Sequence, residues 1–98
     1  RVKADRLAEY RESHKAVWPE MLAALSRHGW TNYSIFLRDD GLLIGYLETP
    51  DFKKAIAGMQ GEEVNARWQK SMVDYFVELP GGRADTSILP LEEVFRLD

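Results

Sequence analysis

Ninety-eight residues with a formal net charge of -3, 45% hydrophobic and 30% charged, suffice for one domain spanning 1–98 and one hydrophobic core, and their composition is not that of a disordered chain. The mildly acidic balance without any Lys/Arg run disfavours nucleic acid and anionic membranes as partners, and no apolar run is long enough to span a bilayer. The absence of cysteine excludes disulfides and thiolate chemistry and is compatible with a cytoplasmic location.

From Ala4 to about Ser13, the residues Leu7, Ala8 and Tyr10 fall among charged neighbours, which predicts a helix with one narrow buried stripe. Helical patterning starts within a few residues of Arg1 and the chain opens without methionine, so upstream residues are expected to be missing. Pro19 disfavours helical geometry at Trp18 but suits the first position of a new helix. A break is therefore expected near Val17 and Trp18, with a second helix from Pro19 to about His28 turning Met21, Leu22 and Leu25 inward. Gly29 then supplies a left-handed cap.

Thr31 to Leu37 is rich in aromatic and branched residues and reads as a strand; Arg38-Asp39-Asp40-Gly41 is a turn, and Leu42 to Thr49 returns as its hairpin partner. Tyr33, Ile35 and Leu37 share one face of the first strand, and Asn32, Ser34 and Phe36 the other. Helices follow over Phe52 to Met59 and, after Gly61, over Glu62 to about Phe76, with Val64, Trp68, Met72 and Tyr75 or Phe76 at helical spacing. Pro80 to Asp85 is a loop by composition, and the alternation of Leu91, Glu93, Phe95 and Leu97 against Glu92, Val94 and Arg96 predicts a last strand.

With a first strand ending at Arg1-Val2, this order completes a β-α-β-β-α-β motif, so the expected fold is a ferredoxin-like α+β domain. The second strand is apolar almost throughout, as a strand covered on both sides would be. Two helices cover only one face of a sheet, and a second copy of the chain is the simplest cover for the other; a homodimer is expected.

If the residues before Pro19 are helical, Tyr10 and His14 lie four apart and project a phenol and an imidazole into one space. His14 is the strong acid–base candidate, because a proton shuttle near neutral pH needs such a group; a surface or capping histidine is the bland alternative. His28, just before Gly29, is explained by the helix dipole. Tyr10 and Tyr33 offer hydroxyls to a polar ligand, and Trp68 within Asn65-Ala66-Arg67-Trp68-Gln69 offers a planar ring flanked by amides and a guanidinium, a suitable lining for a hydroxyl-rich ligand. Ordinary core packing accounts for any one of these aromatics equally well. No metal-ligand spacing, phosphate loop or Ser-His-acid arrangement occurs.

Taken together, Tyr-Arg-Glu-Ser-His at 10–14, Val-Trp-Pro-Glu at 17–20, His-Gly-Trp-Thr-Asn-Tyr at 28–33, Asn-Ala-Arg-Trp-Gln at 65–69 and the ending Leu-Glu-Glu-Val-Phe-Arg-Leu resemble the L-rhamnose mutarotase family along nearly the whole chain. The resemblance implies a dimeric α+β barrel that interconverts the α and β anomers of L-rhamnose with no metal or organic cofactor. It assigns the proton-donor position to His14 and substrate contacts to Tyr10, Tyr33 and Trp68, and Gln69, at the neighbouring position, is expected to give the substrate one hydrogen bond. Some members carry a second tryptophan where this chain has Gln69, which reduces the stacking surface here. Two other readings are compatible with the residues: a small monooxygenase of the same fold, which would want an apolar pocket, and a non-catalytic ligand-binding or dimerisation module.

Overall fold

The computed structural model describes residues 1–98 as a small α+β arrangement of four α-helices and a two-stranded antiparallel sheet. A single 3₁₀ turn over Ala4–Arg6 leads into α1 (Leu7–Ser13), which buries only Tyr10. Trp18 is extended (ψ 134°), as the residue before a proline prefers, and Pro19 starts α2 (Pro19–Arg27) at its first turn. The inward stripe of α2 is Met21, Ala24 and Leu25, whereas Leu22 is turned out to solvent. Gly29, at φ +81°, closes α2: its N–H donates to Ser26 O (3.1 Å) and Trp30 N–H reaches back to Leu25 O (3.0 Å), so two end-of-helix carbonyls are satisfied at once.

β1 (Thr31–Leu37) and β2 (Leu43–Glu48) pair with Leu37 opposite Leu43 and Ile35 opposite Gly45, with a bulge between Thr31 and Ser34 where Asn32 takes φ +46°. This register puts Leu37, Leu43 and Leu47 against the core and leaves Phe36, Ile44 and Tyr46 exposed on the opposite face. α3 (Phe52–Gln60) is capped by the Asp51 carboxylate, which accepts from the Lys54 N–H at 3.2 Å, and buries Ala55 and Met59. α4 (Glu63–Met72) packs on α2 and α3 and buries Val64, Trp68 and Met72, the i, i+4, i+8 stripe its sequence predicts. The helix expected to continue to about Phe76 tightens after Met72 into a 3₁₀ turn over Val73–Tyr75. No helix is long and apolar enough to cross a membrane.

The N-terminal residues are stitched in from both sides. Val2 N–H donates to Gly41 O (2.8 Å), Lys3 N–H to Tyr75 O (2.7 Å) and Val77 N–H to Arg1 O (2.9 Å), and Val2 bridges antiparallel to Phe76. The tail of a first strand expected at Arg1-Val2 therefore sits between the hairpin turn and the stretch around Phe76.

That placement corrects the reading of the C-terminus. The residues beside Val2 are those around Phe76, while Leu91–Leu97 forms no strand and its Leu91, Val94, Phe95 and Leu97 stand in solvent. Alternation encodes which side chains would share a face, but a strand also needs a neighbouring edge to bond with, and within one chain this segment has none.

Candidate active site

The last turn of α1, the start of α2, the middle of α4 and the loop at 83–85 supply the side chains of the site. Helical spacing on α1 stacks the His14 imidazole on the Tyr10 ring, with centroids 4.2 Å apart and planes at 29°. Trp68 meets the same imidazole edge to face (5.5 Å, 83°), and Trp18 in turn meets Trp68 (5.0 Å, 89°). The imidazole is thus held between a phenol and an indole.

Its protonation pattern follows from its neighbours. His14 Nδ1 lies 3.0 Å from Tyr10 O and 2.9 Å from Ser13 Oγ, whose own hydrogen goes to the same carbonyl (2.7 Å). A carbonyl oxygen only accepts, so Nδ1 carries the proton and the neutral ring presents Nε2 as a free lone pair with no protein partner. Ending a helix at its histidine makes this local bond available: the His14 N–H and its side chain both satisfy Tyr10 O.

α4 carries a second stripe beside its apolar one. Asn65 and Gln69, four residues apart, are both buried. Asn65 Nδ2 donates to Met59 O and to Asp85 Oδ2, each at 2.8 Å, and Asn65 Oδ1 accepts from Gln69 Nε2 at 3.1 Å. Gln69 Oε1 is left buried without a partner. Arg83 holds Asp85 with two parallel bonds of 2.9 and 2.8 Å.

The two tyrosines are poor acids. Burial, and then the negative charge of Asp85, push the Tyr33 phenol up to about 12, while its ring packs on Trp30 at 4.9 Å. Burial, with a smaller contribution from Tyr33, raises Tyr10 well above the usual phenol range. Both remain protonated hydrogen-bonding groups around neutral pH.

Of the residues singled out from sequence, His14 contacts both Tyr10 and Trp68, Gln69 follows Trp68 on α4 and connects through Asn65 to Asp85, and Tyr33 packs on Trp30. Sequence reasoning missed Asp85, which looked like one acidic residue in a Gly/Pro loop. It also did not single out Ser13 beside the imidazole. Asn65 stood within a flagged motif, and its i, i+4 relation to Gln69 was the signal that made the pair findable. No three His, Asp or Glu side chains converge where a metal ion could sit.

A family model described as L-rhamnose mutarotase matches residues 1–97. The chain is 42% identical to an L-rhamnose mutarotase of Bacillus subtilis (strain 168), the alignment covering 99% of this chain and 91% of that protein. Identity to the L-rhamnose mutarotase of Lactiplantibacillus plantarum is 37%, covering 96% and 88% of the two chains. Among solved structures, the crystal structure of an L-rhamnose mutarotase from Formosa agariphila superposes with a TM-score of 0.77 at 26% identity, over 99% of this chain and 91% of that one.

Proposed function

This chain belongs to the L-rhamnose mutarotase family, and from that premise we propose that it is an isomerase interconverting the α and β anomers of L-rhamnose, with His14 as its acid–base group. The observation that carries the assignment of His14 is the free Nε2 of an imidazole whose other nitrogen is fixed by Tyr10 O. Nε2 takes the proton of the anomeric hydroxyl while the C1–O5 bond breaks, the electron pair on O1 forming the carbonyl and that of the broken bond going to the ring oxygen. The imidazolium returns the proton to O5, directly or through a bound water. Rotation about C1–C2 and the reverse steps close the ring on the other face of the carbonyl. Both oxygens sit on the same carbon in the cyclic sugar, so one nitrogen serves both.

The raised pKa values of Tyr10 and Tyr33 suit them to orienting sugar hydroxyls and not to releasing protons. Trp68 stacks on the apolar C–H face of the ring, and Gln69 contributes one hydrogen bond. The same reading includes a single domain over 1–98, a ferredoxin-like α+β barrel completed by a homodimer, a cytoplasmic location, and a reaction needing no metal or organic cofactor.

Saturation-transfer NMR measures anomer exchange directly and tests the reaction with L-rhamnose, L-fucose, L-mannose and D-ribose side by side. His14→Ala is expected to slow L-rhamnose exchange by roughly 10²- to 10⁴-fold, the usual worth of a positioned acid–base group. An unchanged rate would remove His14 from the mechanism.

A further inference from the structure

Beyond residue 78, the chain is hydrogen-bonded to the rest of the molecule once. Within the segment, Gly82 N–H donates to Leu79 O (2.8 Å), Thr86 Oγ1 to Gly81 O (2.8 Å) and Ser87 Oγ to Arg83 O (2.7 Å), so 79–87 is a self-bonded loop resting on the core through Leu79 and Ala84. Its one bond outward is the one that Asp85 Oδ2 accepts from Asn65 Nδ2.

That asparagine has no freedom to turn over. Both hydrogens of its NH₂ go to groups that only accept, the Met59 carbonyl and the Asp85 carboxylate. Its oxygen must then face the Gln69 NH₂, and Gln69 is left presenting Oε1, buried, sealed from solvent and unpaired. A buried acceptor with no donor is costly unless a ligand meets it.

We propose that Asp85 is a positioning residue of the sugar site: it latches the 79–87 loop onto Asn65, and the latched Asn65 sets Gln69 so that its oxygen accepts a hydrogen bond from a sugar hydroxyl. Oε1 is sealed from solvent as the chain stands, so a sugar hydroxyl reaches it only through an opening, for which the 79–87 loop, held to the rest of the molecule by one hydrogen bond, is the proposed element. The inference rests on the mutarotase reading and adds to it a residue and the direction of one hydrogen bond.

Asp85→Ala is expected to raise the KM for L-rhamnose about tenfold, the cost of one oriented hydrogen bond, with kcat falling less. Asp85→Asn, whose amide oxygen still accepts from Asn65, should recover most of that loss. In a Gln69→Leu background Asp85→Ala should add nothing, because it acts through the missing amide. The Gln69 side-chain amide protons, followed by NMR without any sugar, should exchange with water faster in Asp85→Ala than in the parent. The proposal is overturned if Asp85→Ala raises KM by the same factor in both backgrounds, or if Gln69 amide exchange in Asp85→Ala equals that of the parent. A parent chain that fails to exchange anomers refutes the mutarotase reading, and the amide-exchange measurement still decides the latch.

Discussion

Tyr33 couples the site to alkaline pH. Its phenol ionises at about 12 in the folded chain against 10.0 for an ordinary tyrosine, so between those values the folded state holds the proton and the unfolded state has released it. Stability therefore falls as pH rises through that interval. Denaturant unfolding of the parent and of Tyr33→Phe should give an alkaline decline in the parent that is shallower in the variant. Tyr10 and His14 were readable from sequence because helical spacing alone puts them on one face. Asp85 was not, since the link it makes runs from a loop to a helix twenty residues away, and nothing in the order of the residues encodes that approach.

The helices and the hairpin owe their limits to a few backbone requirements, which is why Thr31–Leu37 and the entry at Pro19 coincide with their expected bounds while the helix after Gly61 is shorter than its apolar period. Gly41 is the sharpest of these requirements. It sits at φ +91°, and a Cβ there would fall 2.1 Å from the Val2 carbonyl oxygen, a backbone atom that cannot step aside. Gly41→Ala is expected to lower unfolding free energy by about 2–3 kcal/mol, measured by urea titration. The turn from α3 to α4 carries a different dependence. His28 Nε2 and Arg27 Nη2 both approach Glu62 Oε1 at 2.9 Å, and these bonds, that to His28 foremost, hold the carboxyl below the usual glutamate range. A depressed carboxylate stabilises the fold above its unfolded pKa, and the contribution is lost as pH falls through the folded one. Thermal melts on the acid side should thus be less pH-dependent in Glu62→Gln than in the parent.

Considered whole, the molecule has an unfinished side. Phe36, Ile44 and Tyr46 lie 59%, 44% and 55% exposed on the sheet face away from the helices, and the apolar residues of 91–97 also stand in solvent. Such surfaces favour pairing with a second copy, the association proposed above. Sedimentation should find a dimer for the parent, and Phe36→Asp should shift it towards monomer. The sharing of faces along β1 was readable from its period of two, but the nearly continuous apolar run of β2 predicted cover on both sides, whereas within one chain Ile44 and Tyr46 stand exposed. The fate of Leu91–Leu97 was not readable, because a strand pattern specifies a face and leaves its partner edge undefined. One further consequence comes from the stitching of Val2 between Gly41 and Phe76. Of these neighbours Phe76 is separated from it by most of the chain, so on the ribosome the helices and hairpin can assemble early, but Arg1, Val2 and Lys3 complete their bonds only after Val77 has emerged.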